Sequence, residues 1–514
     1  MKIIDTSTYV SQDDLDKLSA DEAYWFYNGM DSCITEEIRD KLERQLDEVT
    51  RPLYEHTIRM QAPILDMMFR GIRVDETHRR VALAKAEGEA QRLMQILRRL
   101  CKEGLGLKEA INPGSHVQVK WLFYEFFNLK PIKKRNSKGF YAPASDRETL
   151  EKLNQYFIAQ PFVSLILAIR DQRKTIGFIK TPTDPDGRIR CSFSLAGTNT
   201  GRLNSAFSDF GTGTNLQNVD SNLRYMFTAD PGKIMVNIDL EQADSRNVGA
   251  LCWEYFYDSH GPEFAGSYLD ACESGDLHTT VCRMGWTGLD WPDDRSGWRA
   301  VADGLAYRTY SYRDMAKKLG HGTNYYGKPP TMSMHTKIPV KEIISFQNNY
   351  FGAFPCIPEW HKETIHRLQS TGYLTHLFGR RRYFFNRLDD QNVINAAIAY
   401  CPQGMTGEEI NRGMLNLWHH PDVEFLVQVH DSILFQVPVD RVNELVPMAL
   451  EALKVEIILK GGRPFHVPLE AETGYNWGKK SENNPLGLTK WKGEETRKPP
   501  RNLPPKQITL DSYL

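Results

Sequence analysis

The sequence predicts an α+β protein of two to four domains or subdomains, and three observations carry that expectation. A chain of 514 residues is longer than one compact core serves well. From about residue 13 to 100, and again to about Lys180, charged and apolar residues interleave at helical spacing. From Lys233 to about residue 475, strand-like apolar runs mix with longer helical stretches. The composition, 41% hydrophobic and 25% charged with a net charge of −1, is that of a globular chain and excludes a polycation. Any affinity for nucleic acid must therefore come from local basic patches. The eight cysteines are dispersed without a CxxC pair, which suits a reduced cytosol and argues against a zinc or disulfide framework. The start, MKIIDTSTYVSQDD, has no basic-then-apolar leader, and no run of about 18 apolar residues occurs. A cytoplasmic protein without membrane contact is expected.

The elements follow in order. INPGSHVQVKWLFYEF (Ile111 to Phe126) carries a helix-start signal and then an apolar stripe. KPIKKRNSKG (Lys130 to Gly139) holds five basic residues and no acid. It reads as a solvated loop or as a contact for backbone phosphates. DPDGRIRCSFSLAG reads as a turn and a strand. Met235 to Asp239 has strand texture ending on a carboxylate, and Gln242, Arg246 and Ala250 follow at helical spacing. FLVQVHDSILFQV (Phe425 to Val437) reads as strand, sharp turn, strand, with Asp431 at the bend. Past Asn476 the chain turns polar, basic and Pro-rich, the texture of a linker or tail.

Two of these features bear on chemistry. Taken alone, Asp239 and Asp431 read as cap or turn residues; brought together, they make a two-carboxylate cage for Mg²⁺, which completes its octahedron with waters and substrate phosphates. Two such ions serve in-line phosphoryl transfer. In RDMAKKLGHGTNYYG, Arg313, Lys317, His321 and Tyr325 recur every four residues, so a helix would line them up. Two cations followed by two rings suit a nucleoside triphosphate, although an ordinary amphipathic surface helix has the same pattern.

At these residues the chain resembles the family A (bacterial polymerase I-like) DNA polymerases, from about residue 50 to 480. TNTGRLNSAFSDFGTGTNLQNV, DLEQADSR, DLHTT, RDMAKKLGHGTNYYG, LFGRRRYF, CPQGMTGEEI, VQVHDS and VPLEAETGYNW resemble the family's segments and occur in its order. The resemblance implies a right-hand architecture of palm, fingers and thumb with an antiparallel palm sheet. The divisions it implies are 1–50, resembling the end of a 3′–5′ exonuclease domain; 51–185, thumb and connecting helices; 186–250, first part of the palm; 251–355, fingers; 356–480, second part of the palm; and 481–514, tail. It implies Asp239 and Asp431 as catalytic ligands of two Mg²⁺ ions, helped by the Leu240 carbonyl. Gln242, Asp244, His278, Arg313, Lys317, His321 and Tyr325 would bind the dNTP. Arg202, Gln217, Asn218, Arg246, Arg380, Gln403, Gln428 and His430 would face the template–primer.

The chain departs from that pattern in four places. Ser432 stands where the family has Glu after the catalytic His-Asp; His-Asp-Ser is what single-subunit phage and mitochondrial RNA polymerases carry. Asp244 stands where the family sets a Glu against the sugar's 2′ edge, and the 2′-OH is what separates the two substrates. His321 replaces an aromatic Phe or Tyr. GWTGLDWPDDRSGWRAVADG lengthens the fingers, an insertion near 285–305. Those RNA polymerases place Gly after the first catalytic Asp, whereas an acid remains at the gate here, so DNA synthesis is the expectation. A polymerase of the same fold with relaxed sugar or unusual-base selectivity, and a non-catalytic DNA- or clamp-binding scaffold, are the alternatives. YNGMD (Tyr27 to Asp31) resembles the last exonuclease motif, so proofreading is expected to need a separate exonuclease polypeptide. QITLDSYL resembles a sliding-clamp peptide anchored by Gln507, Leu510, Tyr513 and Leu514. The form suggests a phage replication enzyme.

Overall fold

A computed structural model describes residues 17–135, 139–209 and 212–497. The elements used below are α1 (Ala20–Glu43), α2 (Glu76–Arg99), α3 (Gln160–Ile179), β1 (Lys233–Leu240), α4 (Ala243–His260), α5 (Leu277–Gly285), α6 (Tyr312–Asn324), α7 (Gln391–Trp418), β2 (Glu424–Val429), β3 (Ser432–Pro438), β4 (Leu469–Gly474) and β5 (Thr489–Lys490).

The strands form one antiparallel sheet in the order β2-β3-β1-β4-β5. Strand β1 is central, paired with β3 on one side and β4 on the other, and its Ile234, Met235, Val236 and Ile238 are all fully buried. Its register sets Asp239 opposite Ser432 on one side and Glu470 on the other. Helix α7 runs 28 residues, most of them buried, and packs against α4. Its buried residues include Thr406, Glu408, Glu409 and Asn411 beside the apolar ones, so polar groups inside the core must find partners there. The largest core joins this sheet, α4 to α7 and the surrounding helices.

A second, smaller core lies between α2 and α3 and the segments joining them, with Leu97, Leu122, Ile166 and Ile169 fully inaccessible. Ser115 caps the helix His116–Lys120 by accepting from the Gln118 amide, as the Pro-Gly-Ser signal predicts. The basic run after Lys130 forms a short hairpin, Lys133–Arg135 with Tyr141–Pro143. Lys134 there is bound to Asp146 at 3.0 Å and Glu148 at 2.6 Å, so two acids from outside the run compensate it.

Helix α1 begins with a capping box between Ser19 and Glu22 and buries none of its residues. Tyr27 is 65% exposed on it, and Asp31 is exposed one turn further on. The expected linker past Asn476 is corrected: to residue 497 the chain belongs to the sheet domain. Thr489–Lys490 adds β5, Leu488 is 3% exposed, and Leu486 and Trp491 pack on the core. The sparse apolar residues at the right positions outweigh the polar composition. Gln507, Leu510, Tyr513 and Leu514 lie outside the described residues. Among the described residues no helix is long and apolar enough to cross a membrane.

Candidate active site

Asp239 is the last residue but one of β1, and Asp431 occupies the two-residue turn between Val429 and Ser432 that joins β2 to β3. The Leu240 amide donates to the Asp431 carbonyl at 3.1 Å, which ties the turn to the strand end and brings the two aspartates to the same end of neighbouring strands. His430 takes a left-handed conformation, φ 56°, a state most side chains avoid. The Gln428 side-chain amide holds it, donating to the His430 carbonyl at 2.6 Å. Ser432 turns its hydroxyl back to the Val429 carbonyl at 2.9 Å. The serine therefore closes the hairpin, where a third carboxylate was missing from the pattern.

The electrostatics mark an uncompensated negative site. Although Asp239 opens to solvent on the cleft side, burial, then Asp431, Glu472 and Glu470, push its carboxyl up to about 7, against the opposing charge of Lys479. Asp431 is also raised, chiefly by burial and further by Asp244, while Arg202 draws it down. Glu470 and Glu472 were not among the expected site residues. Their signal was the alternation Glu-Ala-Glu in a strand, which sets both on one face. Lys490 binds Glu470 at 2.7 Å, and Lys479 binds Glu472.

Beside the pair lies a polar network around Asp244. Its Oδ1 accepts from Arg202 at 3.1 Å and from the Thr406 hydroxyl at 3.0 Å. Asn247 donates to Thr406 at 3.1 Å and to Glu409 at 3.2 Å. Glu409 is 2% exposed, and burial pushes its carboxyl up to about 8. Thr406, Asn247 and Glu409 were also missed, since nothing in a helix of mixed apolar and polar residues says which polar residue faces a partner. The Tyr325 hydroxyl is buried next to Asp244 and Gln403. The Gln242 Oε1 is buried and unpartnered. Gln242 is left-handed, φ 56°, and precedes α4, which corrects the reading that it shares the helix with Arg246 and Ala250.

Helix α6 starts at the Ser311–Asp314 capping box, and Tyr325 is its C-cap. Arg313, Lys317 and His321 share one side, as their spacing predicts. Lys317 is exposed and in no ion pair among the described residues. Arg313, by contrast, is held bidentately by Asp276 at 2.9 and 3.0 Å. The His278 imidazole is pushed down to about 4 by burial, then by Arg313 and Lys317. The His321 and Tyr325 rings meet edge to face, centroids 4.8 Å apart.

Other expected contact residues are placed differently. Arg246 is 6% exposed and turned into the core near Cys272 and His466, because α4 packs on that face. Arg380 is spent on Glu408, 0% exposed, at 2.6 and 2.8 Å. Gly201, at φ 77°, makes room for that guanidinium: a Cβ there would collide with it. Gln428 is 1% exposed and accepts from the Gln217 amide at 3.1 Å. These two glutamines brace the hairpin. Asn218 and His430 are exposed.

The model of DNA polymerase family A matches residues 81–254 and 302–479, more than half of the chain. The thermostable DNA polymerase I of Thermus thermophilus is 26% identical over 451 residues, 83% of this chain and 47% of that protein. DNA polymerase I of Deinococcus radiodurans is 24% identical over 468 residues, 87% of this chain and 44% of that one. The chain thus spans about half the length of the curated relatives it matches. In fold it is similar to the POL domain of Pol1 from M. smegmatis, solved in complex with DNA primer-template and dNTP. The TM-score is 0.63 at 22% identity, over 82% of this chain and 70% of that one. With the family's pattern covering both aspartates, the sheet that carries them and α6, this chain belongs to the family A DNA polymerases.

Proposed function

We propose that the chain is a template-directed DNA polymerase: it extends a primer 3′-hydroxyl with dNTPs, forming a phosphodiester and releasing pyrophosphate. The observation that carries this reading is the meeting of Asp239 and Asp431 at the same end of neighbouring strands, both held above the ordinary carboxylate range. The donor set fits Mg²⁺. Two under-compensated carboxylates attract a divalent cation, and no group of three or more His, Cys, Asp or Glu stands ready for a metal among the described residues, so waters and substrate phosphates would fill the remaining positions. Asp239 and Asp431, with the Leu240 carbonyl, would hold two ions, whose charge eases deprotonation of the attacking hydroxyl and stabilises the leaving oxygen.

The chain's own groups divide the remaining work. Lys317, exposed and unpaired, brings a point charge to the triphosphate. Arg313 joins it by exchanging Asp276 for phosphate oxygens. His278, neutral at pH 7, donates a hydrogen bond instead of adding a charge. His321 and Tyr325 offer ring faces to the incoming base, and the Arg202–Asp244–Thr406 network fixes the acid at the sugar's edge.

Primer extension with and without Mg²⁺, comparing wild type with Asp239→Ala and Asp431→Ala, tests the reading. Extension is expected only from the wild type with Mg²⁺; a variant that extends normally overturns it. A second reading, relaxed sugar selectivity, is favoured by one observation: the acid at this position is an Asp, one methylene shorter than Glu, and it is engaged by Arg202 and Thr406. A clamp bound by residues 507–514 and a separate exonuclease polypeptide remain part of the proposal. Truncation of 507–514, read as clamp-dependent product length, tests the first; mismatch removal in mixtures tests the second.

A further inference from the structure

Between the two segments that match the family, the chain builds a cavity of about 440 Å³, within the range of small-ligand clefts. Its walls are Thr280, Arg283 and Met284 from α5, and Leu289, Trp291 and Trp298 from the residues that follow. At ~100° per residue, the three α5 positions lie on roughly the opposite side of the helix from His278. One face of α5 thus looks to the proposed nucleotide site and the other to this cavity.

The two indoles are fixed in place. Trp291 Nε1 donates to the Trp286 carbonyl and Trp298 Nε1 to the Pro292 carbonyl, each at 2.9 Å. The rings meet edge to face at 6.4 Å. Two guanidinium groups flank Trp298, Arg283 at 4.1 Å and Arg295 at 5.5 Å from the ring centroid. Arg295 donates only to hydroxyls, Ser274 at 3.1 Å and Thr280 at 3.3 Å, and neither arginine is in an ion pair among the described residues. That is notable among so many acids: Asp276 and Asp303 bind Arg299, and Asp294 caps the turn at Ser296. The nearby carboxylates leave these two cations available.

We propose that this pocket binds one nucleotide of single-stranded DNA, its base against the Trp291–Trp298 wall and its phosphate at Arg283 and Arg295. Flat rings beside uncompensated guanidinium groups suit a base joined to an anion. The exposed Asp290 and Asp293 confine the positive field to the pocket mouth, so the site holds one unit and does not track a long backbone. It rests on the polymerase reading for the source of the strand: unpaired template beyond the cleft, on the far side of a helix about 10–12 Å across.

The test is equilibrium binding of the full chain to primer–templates with a one-nucleotide or a ten-nucleotide 5′ template overhang, read by fluorescence anisotropy. The wild type is expected to bind the long overhang about tenfold more tightly, the scale of one base stacked on an aromatic ring. Arg283→Glu, at an exposed position and with its melting temperature checked against the wild type, should abolish that gain while binding the short overhang like the wild type. Trp291→Ala should do the same, with its melting temperature recorded to detect collapse of the insertion. A long overhang of abasic sites should bind like the short one. If Arg283→Glu keeps the full gain, or the abasic overhang binds as tightly as the normal one, the proposal is overturned. No binding to any primer–template would instead overturn the polymerase reading.

Discussion

Replacing Asp239 by Asn is expected to stabilise the protein in the absence of divalent cations while abolishing synthesis. The wild-type carboxyl rises from 3.8 to about 7 on folding, through burial and then Asp431, Glu472 and Glu470. At ~1.36 kcal/mol per pH unit that corresponds to about 4 kcal/mol. Asp239 opens to solvent, and screening reduces the figure to roughly 1–2 kcal/mol. The sign follows from proton linkage: the folded state binds the extra proton, so its advantage is fully present below pH 3.8 and is lost as pH rises through about 7. In EDTA at pH 8 the variant should therefore melt about 2–4 °C higher than the wild type, and the gap should close by pH 4. Adding Mg²⁺ should raise the wild-type melting temperature and leave the variant nearly unmoved. A gap that persists at pH 4, a variant less stable at pH 8, or equal stabilisation of both proteins by Mg²⁺ would refute the reasoning.

Other expectations follow from the same geometry. Asp244→Glu gives the proposed gate acid one more methylene, and about tenfold stronger discrimination against ribonucleotides is expected, measured as the ratio of kcat/KM for dNTP and rNTP. Gln428→Ala removes the bonds to Gln217 and the His430 carbonyl; a loss of about 1–3 kcal/mol in urea melts should accompany slower extension, because the Asp431 turn loosens. Glu409, held up to about 8 by burial, favours folding below its unfolded value of 4.5 and loses that contribution as pH rises through 8. Glu409→Gln should therefore flatten the decline in melting temperature between pH 5 and 9, and an unchanged slope would count against a neutral buried carboxyl. Glu408→Gln strands the Arg380 guanidinium, and about 3–5 kcal/mol of stability should be lost.

Much of the candidate site was legible because the proposed chemistry confines residue types to local patterns. The strand carrying Asp239, the hairpin bend at Asp431 and the four-residue repeat on α6 are properties of neighbouring residues, and all three appear where the spacing predicts. Ser432 and Asp244 were visible as departures, but their consequences were not. The serine closes the hairpin on Val429, and the aspartate divides itself between Arg202 and Thr406, partners 42 and 162 residues away.

Local pattern leaves open which partner a polar side chain takes. Arg246, Arg380 and Gln428 have the polar character of DNA contacts, yet packing turns the first inward and gives the other two to Glu408 and Gln217. The segment past Asn476 reads as linker by composition, but sheet pairing at Thr489–Lys490 and a few buried apolar groups make it part of the domain. What the sequence by itself determined was therefore the element types, the family and the carboxylate pair, since periodicity and motif spacing are short-range. Only the tertiary structure decided which charges are compensated, which polar groups are spent on one another, and that a pocket opens behind α5. Burial and pairing depend on residues that meet only when distant parts of the chain fold together.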